Sequence, residues 1–283
     1  MDTATLLCSC VDRSGIVAAL TNLVSDYGGN IVDLDQTTND ESSRFFMRIV
    51  WDLKSFALSR DDIPNIIAMM AKKFVDMRWR VHFSDPLPKV AVFASKTQHC
   101  LADLLLRHQM GELNGEMAVV ISNHEELASL AEHFDVPFRC IPVDKNDKAE
   151  AEKRQREVLQ ENNIDLVVLA RYMQVLSPDF VQEWNGRIIN IHHSFLPAFV
   201  GAKPYHQARA RGVKIIGATA HYVTADLDQG PIIAQDVTPV SHRDEVEDLV
   251  RKGRDIERQV LGRAVRLHLE RRIIVDGNRT VVF

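Results

Sequence analysis

Asn190, His192 and Asp228 are the residues of this chain whose types and positions could carry out a reaction. Asn190 and His192 stand two positions apart in an apolar run of strand length, and strand geometry puts both side chains on one face. Asp228 follows another apolar run, which passes through His221. An amide and an imidazole can together polarise a carbonyl, and a carboxylate beside them can deprotonate a nucleophile. Taken singly, such residues are equally typical of a hydrogen-bonded strand end or a turn.

A metal site is an alternative for the same part of the sequence. The possible ligands are His192, His193, His206, His221 and Asp228. No pair of them has the H-E-x-x-H spacing, and no acidic residues that would orient such ligands are evident. The spacing therefore favours a site without a metal or another cofactor.

Hydrophobic periodicity predicts the elements that must hold these side chains. Beyond residue 90, apolar runs of strand length alternate with helical segments, which predicts a mostly parallel open α/β sheet. Ligands of such sheets bind beyond the carboxyl ends of the strands, where the polar residues above lie. The predicted strands are 90–94, 117–121, 138–141, 166–170, 188–192, 214–223 and 232–237. The clearest helices are 147–162 and 244–270, and residues 271–283 are predicted to form a hairpin that turns at 276–278.

The N-terminal part has a different order of elements. Strands are predicted at 3–10, 30–38, 44–52 and 78–83, with one helix beginning after a cap at Ser14 and another over 60–74. This βαββαβ order is the ferredoxin-like arrangement, an α+β fold. Two prolines in residues 84–89 indicate a linker. The predicted domains are therefore 1–84 and 90–283, joined by 85–89.

Composition excludes several classes of protein. The 283 residues are 46% hydrophobic and 26% charged, values typical of a globular protein with a real core. The formal net charge of −5 provides no basic field for nucleic acid or an anionic membrane surface. Neither a signal peptide nor an apolar run of membrane-spanning length is evident. The four scattered cysteines, Cys8, Cys10, Cys100 and Cys140, are expected to be free thiols in a reducing cytoplasm.

Three sequence blocks resemble those of the 10-formyltetrahydrofolate-dependent formyltransferases. Residues 190–198 are similar to the N-I-H-P-S-L-L-P segment of that family, 219–231 to its second block with an aspartate before a Gly-rich turn, and 169–176 to the loop on which the pteridine rests. Residues 95–105 and 201–207 resemble more closely the formyltetrahydrofolate deformylases, in which an ACT domain precedes the formyltransferase-like domain. The resemblance covers nearly the whole chain.

This resemblance implies both the fold and the activity. A ferredoxin-like ACT domain would precede a Rossmann-like formyltransferase domain. The reaction would be hydrolysis of 10-formyltetrahydrofolate to tetrahydrofolate and formate, supplying formate for purine synthesis and balancing one-carbon pools. Asn190 and His192 would stabilise the oxyanion, and Asp228 would act as the general base. No metal would be required.

The resemblance also implies further binding residues and partners. The residues expected at the folate are Arg171, Tyr172, Met173, Val175, Leu176, Val223 and Thr224. Those expected at the formyl site or its entrance are Lys203, His206 and His221. A small amino-acid effector would bind the ACT domain at Arg13, Ser14, Gly15, Gly29 and Asn30. ACT domains commonly pair, so a homo-oligomer is expected. Tyr172 and Met173 are equally compatible with plain core positions.

Two departures from the transferase pattern affect the choice of acceptor. Glycinamide ribonucleotide transformylases carry a Gly-rich loop after their first strand for the acceptor phosphate, whereas residues 94–99 here contain no glycine. His193 stands where those enzymes usually have proline. Water is thus the favoured acceptor. The alternatives are formyl transfer to an amine, a non-catalytic folate or amino-acid sensor, and a metal-dependent hydrolase.

Overall fold

The computed structural model describes residues 2–144, 147–197 and 204–283. The chain divides into two compact units. One consists of Met1–Leu87 with Arg271–Asp276 and Val281–Phe283, and the other of Pro88–Glu270 with Gly277–Thr280. Within the described parts of the chain, no helix has the length and apolar character that crossing a membrane requires.

The first unit is a four-stranded antiparallel sheet that carries two helices on one face. Its elements are β1 (Thr3–Val11), α1 (Ile16–Asp26), β2 (Asn30–Asn39), β3 (Arg44–Asp52), α2 (Asp62–Ala71) and β4 (Arg78–Phe83). The strand order is β2-β3-β1-β4. Alternate residues of β1 and β3 pack against the apolar stripes of both helices, because each strand sends every second side chain to the helical face. Gly15, at φ 91°, rather than Ser14 is the residue before α1, and no side chain caps that helix.

The second unit is a seven-stranded sheet with helices between its strands. Its elements are β5 (Lys89–Ala94), α3 (His99–Gln109), β6 (Glu116–Ser122), α4 (Ala128–His133), β7 (Phe138–Cys140), α5 (Lys148–Glu161), β8 (Leu166–Ala170), α6 (Pro178–Glu183), β9 (Ile188–His192), α7 (Pro204–Arg211), β10 (Ile215–Tyr222), β11 (Ile232–Pro239) and α8 (Val246–Leu269). The strand order is β11-β10-β9-β8-β5-β6-β7. Strands β5 to β9 pair in parallel, whereas β10 is antiparallel to both of its neighbours. The predicted mostly parallel open sheet is confirmed.

The direction of chain progression across this sheet reverses between β5 and β8. The chain adds β6 and β7 on one side of β5 and returns to place β8 on the other side. Such a switch point leaves a crevice beyond the carboxyl ends of the two strands, because their following connections leave in opposite directions. The segments after β5, β8 and β9 therefore converge where a ligand is expected.

The C-terminal hairpin consists of β12 (Ile273–Asp276) and β13 (Arg279–Val282). Gly277 in its turn has φ 59°, a left-handed conformation that glycine adopts without strain. Arg48 Nε donates to the carbonyl of Arg271, 3.0 Å away, within the first unit. Part of this hairpin thus groups with the N-terminal unit, although the predicted boundaries placed all of it in the second domain.

Candidate active site

Asn190, His192 and Asp228 lie together at the carboxyl end of β9. The antiparallel pairing of β9 with β10 sets His221 opposite Asn190, so that the two strands contribute neighbouring polar side chains. Asp228 reaches the same place from the turn after β10, where its φ of 56° bends the chain back toward the sheet. The fold thereby brings together Asn190 and Asp228, which are 38 positions apart in the sequence.

The carboxylate of Asp228 lies between two histidines. Its Oδ2 is 3.2 Å from Nδ1 of His192 and its Oδ1 is 3.7 Å from Nε2 of His221. Hydrogen bonds from these imidazoles hold the pKa of Asp228 well below its usual range, although burial opposes them. Asp228 is therefore an ionised acceptor at neutral pH, aligned on His192.

Hydrogen bonds also set the orientation of His221. Its Nδ1 donates to the carbonyl oxygen of Tyr222, 2.9 Å away. Its Nε2 lies 3.3 Å from Nδ2 of Asn190 and 3.7 Å from Oδ1 of Asp228. His221 thus orients the Asn190 amide as well as facing Asp228. It was predicted only as a formyl-site or entrance residue, and the structure places it in direct contact with two of the three predicted catalytic side chains.

His192 presents its second nitrogen without a partner. Nε2 of His192 is buried and has no hydrogen-bond partner among the described residues, while Nδ1 faces Asp228. A buried ring nitrogen without a partner costs free energy unless a ligand or water satisfies it. This atom is therefore available to a reacting oxygen, with Asn190 on the same strand face.

Residues of the predicted folate loop divide into core and surface positions. Tyr172 is a core residue, with its ring 5.3 Å from that of Phe93 and its hydroxyl accepting from Gln155 Nε2 at 2.9 Å. Met173 and Val175 are exposed, whereas Leu176 is buried. A small cleft lies beside this loop. Its lining residues are Val143, Lys148, Ala151, Glu152, Gln155, Tyr172, Gln174, Val175 and Leu176.

The remaining predicted folate residues lie on two other segments. Val223 packs against the core cluster of the sheet, and Thr224 donates through Oγ1 to the carbonyl of Asp226 at 3.1 Å. Arg171 has φ 62° and sends its guanidinium toward Glu257, with Nε 3.5 Å from the carboxylate. The Arg171 side chain thus joins a polar cluster around Glu257 rather than the cleft.

Glu257 on α8 is a functional candidate that the sequence reasoning missed. It is 1% exposed, and it accepts from Nε2 of His99 at 2.8 Å and from the hydroxyl of Tyr205 at 2.7 Å. Burial alone would raise its pKa, but His99, Arg171 and Tyr205 outweigh burial and hold the pKa below the usual value. A charged residue on the apolar face of the helix, one turn from Gly253 and Val260, is the signal that could have revealed it.

His193, which stands in the place of the transferase proline, lies between this cluster and His192. Its ring meets the His192 ring edge-on at 5.1 Å and the Tyr205 ring edge-on at 6.2 Å. Burial, with the nearby charge of Arg171, lowers the pKa of His193 to about 4. His193 is consequently uncharged at neutral pH and lines one side of the site.

Side chains of the segment after β5 hold that segment in place through hydrogen bonds. Oγ of Ser95 donates to Oδ1 of Asn123 at 2.7 Å and accepts from the backbone N–H of Met173 at 3.1 Å. The side chain of His99, at the start of α3, donates to Glu257. The glycine-free segment is therefore bound to the folate loop at one end and to α8 at the other.

The other predicted residues lie outside the described structure, at the surface, or in the first unit. Lys203 lies outside the described residues, and His206 is exposed on α7. In the other unit, Arg13 stacks on Phe74 with its guanidinium 5.8 Å from the ring centroid. The other predicted effector residues, Ser14, Gly15, Gly29 and Asn30, lie at the start of α1 and before β2.

A group of three potential metal ligands that the sequence did not suggest lies around Glu257. Among the described residues, the ligand atoms of His99, Cys100 and Glu257 all lie within 4.8 Å of one another. Burial raises the pKa of the Cys100 thiol well above its usual range, and His99 already donates to Glu257. The Cys100 thiol therefore keeps its proton, and the thiolate that a metal needs is disfavoured.

Comparison with known proteins defines the class first. A family model described as formyl transferase matches residues 88–265, and an ACT domain model matches residues 4–56. A crystal structure of glycinamide ribonucleotide transformylase 1 from Symbiobacterium toebii is similar with a TM-score of 0.67 and 33% identity, covering 71% of this chain and 97% of that one. The second unit is thus a formyl transferase fold.

Full-length relatives then define the family. A formyltetrahydrofolate deformylase from Synechocystis sp. is 53% identical over 281 residues, 99% of this chain and 98% of its own length. A crystal structure of a formyltetrahydrofolate deformylase from Pseudomonas syringae pv. tomato has a TM-score of 0.97 and 47% identity, covering 100% of this chain and 95% of that one. The chain belongs to the formyltetrahydrofolate deformylase family, which confirms the predicted family, fold class and enzyme class.

Proposed function

We propose that this chain hydrolyses 10-formyltetrahydrofolate to tetrahydrofolate and formate at Asn190, His192 and Asp228. The observation that carries the proposal is the contact of Asp228 with His192 beside Asn190, at the carboxyl end of β9. It supplies an ionised base and oxyanion donors at one place. Membership of the deformylase family supports the choice of substrate.

The first step is attack of water on the formyl carbon. Nδ2 of Asn190 and Nε2 of His192 donate to the formyl oxygen as it becomes an oxyanion, and Asp228 takes the proton that water loses. The C–O bond forms and the carbonyl π electrons move to oxygen. One donor of this kind contributes about 10²-fold to 10³-fold to the rate. His192 donates from Nε2 in its protonated form, in which Nδ1 remains toward Asp228.

The second step is collapse of the tetrahedral intermediate. The carbonyl re-forms, the bond from carbon to the folate nitrogen breaks, and that nitrogen takes the proton held by Asp228. Formic acid leaves and ionises in solution. The sum is one water consumed and one formate, one proton and one tetrahydrofolate produced. The mechanism uses only side chains of this protein.

The folate is proposed to lie along residues 171–176 and the segment 223–228. Tyr172, Val175 and Leu176 line the cleft beside the first of these segments. Apolar side chains would hold the ring, and backbone groups would bind its polar edge. Because Met173 and Val175 are exposed, they can be covered by ligand without rearrangement of the core.

The test measures products from 10-formyltetrahydrofolate with a chelator present and no amine acceptor. Formate and tetrahydrofolate in equal amounts would support the hydrolase. Formyl transfer to an added amine, with little formate in its presence, would favour a transferase. No turnover by folded protein, with or without added glycine or methionine, would overturn the proposal. Activity lost in chelator and restored by a divalent metal would establish a metal-dependent hydrolase instead.

The ACT unit is proposed to bind a small amino acid and to mediate homo-oligomer formation. The match of residues 4–56 to the ACT domain supports both proposals, with the effector at residues 13–15 and 29–30. Calorimetry with amino acids, and light scattering of the protein alone, test them separately. We also propose a cytoplasmic location, which the four free cysteines support.

A further inference from the structure

Glu257 is a buried carboxylate that the proposed mechanism does not use. Three groups from three different segments converge on it: His99 of α3, Tyr205 of α7 and Arg171 after β8. A buried carboxylate is costly unless donors satisfy it, and one so surrounded is held in a single position. Glu257 therefore fixes the relative placement of these three segments at the edge of the site.

A continuous set of ring contacts joins Glu257 to His192. The hydroxyl of Tyr205 donates to Oε1 of Glu257, the Tyr205 ring meets His193 at an interplanar angle of 80°, and His193 meets His192 at 85°. Edge-to-face rings restrict each other's tilt, because each ring edge fits the face of its neighbour. The plane of His192 is thus set by Asp228 on one side and by this stack on the other.

Helix α8 is adapted to hold Tyr205 close to Glu257. Gly253 lies one turn before Glu257, and a Cβ at Gly253 would overlap the hydroxyl end of Tyr205. A glycine inside a helix costs stability relative to alanine. Its presence here is explained by the close approach of the Tyr205 ring.

Arg171 provides a further sign that this cluster is constrained. Its φ of 62° is a left-handed conformation that favours glycine, and it directs the guanidinium toward Glu257. Nε of Arg171 is buried and has no hydrogen-bond partner among the residues described. Backbone strain that persists beside an active site is held there by its surroundings.

We propose that Glu257 is a positioning residue for His192, acting through Tyr205 and His193. The proposal rests on the proposed hydrolase function for its kinetic test. Glu257 fixes the Tyr205 ring, the Tyr205 ring fixes His193, and His193 holds the plane in which Nε2 of His192 meets the formyl oxygen. Glu257 itself touches neither substrate nor water in the reaction.

The experiment compares Glu257→Gln, Tyr205→Phe and the double variant with wild type. Tyr205→Phe removes the hydroxyl and keeps the ring, so it preserves packing. Misplacement of a catalytic group is expected to lower kcat about 10-fold to 100-fold in each single variant, with KM changed less than about twofold. The double variant is expected to be no slower than the slower single variant, because both single substitutions disrupt the same contact between Tyr205 and Glu257. The control is Asp255→Asn on the same helix, an exposed carboxylate paired with Arg258.

A second readout is independent of turnover. The ring resonances of His192, assigned by their absence in His192→Gln, are expected to shift in Glu257→Gln and Tyr205→Phe and to stay unchanged in Asp255→Asn. Unmoved His192 resonances overturn the proposal even if wild type proves inactive and the hydrolase proposal fails. Independent, multiplicative losses in kcat, or a raised KM with unchanged kcat, also overturn it. If Glu257→Gln does not fold, Tyr205→Phe decides the matter by the same two readouts.

Discussion

Replacing Asp228 by asparagine isolates the charge of the proposed general base. Asparagine has nearly the same shape, and it tolerates the left-handed φ of 56° at this position better than most residues. The turn after β10 is therefore expected to keep its course. What changes is the negative charge beside His192 and the capacity to accept a proton.

The size of the effect follows from the geometry of the pair. Oδ2 of Asp228 lies 3.2 Å from Nδ1 of His192, and the two side chains are 10% and 8% exposed. At an effective dielectric constant of about 20, two unit charges at this distance attract by about 5 kcal/mol. If all of this attraction were gained only in the transition state, its loss would lower kcat by about 10³-fold to 10⁴-fold, which is the upper end of the effect. General-base catalysis contributes about 10²-fold to 10⁴-fold, so Asp228→Asn is expected to lower kcat by about 10²-fold to 10⁴-fold.

The assay is single-turnover and steady-state formate release, with folate affinity measured by equilibrium binding. The matched control is Asp255→Asn, which removes the same charge from an exposed position on α8 outside the proposed site. Asp255→Asn is expected to keep kcat within about twofold. A loss of less than tenfold in Asp228→Asn, or an equal loss in the control, would refute the role assigned to Asp228.

Three further predictions concern stability. Burial, with Arg271 nearby, lowers the pKa of His82 from 6.5 to about 4, so the unfolded state binds more protons between these values. Wild type is expected to lose about 2 kcal/mol between pH 8 and pH 5 that His82→Gln does not lose, as measured by thermal unfolding at both pH values. Phe180→Ala, at a fully buried core position, is expected to cost about 3–5 kcal/mol in urea unfolding; a cost below 1 kcal/mol would contradict the packing. Ser177→Ala removes the cap of α6 and a hydrogen bond to Glu152, and about 1–2 kcal/mol should be lost, with Ser177→Thr as the retaining control.

The fold was largely predictable because its elements have strong periodic patterns. The continuous apolar run over β8 and the alternation in β4 each match one element type, and their ends lie at polar residues. Asn190 and His192 could be assigned to one strand face for the same reason. The predicted cap at Ser14 was wrong because Gly15 turns the chain in a left-handed conformation that a cap residue does not adopt.

The polar cluster around Glu257 could not be predicted from the sequence, because it depends on contacts that no local pattern encodes. Glu257 and His99 are 158 positions apart in the sequence. The charged residues of a long polar helix most often lie on its solvent-exposed face, so nothing marked Glu257 as buried. Arg171 was assigned to the folate because it belongs to the folate loop in sequence. In the structure, the left-handed φ of Arg171 directs its side chain away from that loop and toward Glu257.

The choice between water and an amine as acceptor depends on the segment after β5. In the transferases that this chain resembles, glycines there leave backbone N–H groups open to a phosphate. Here Ser95 is bound to Asn123 and to the N–H of Met173, and His99 is bound to Glu257. A phosphorylated acceptor would have to break buried hydrogen bonds that each cost about 1–3 kcal/mol to leave unmade. Attack by water does not require these hydrogen bonds to break. The same contacts that keep the folate loop and α8 in place therefore favour hydrolysis over transfer.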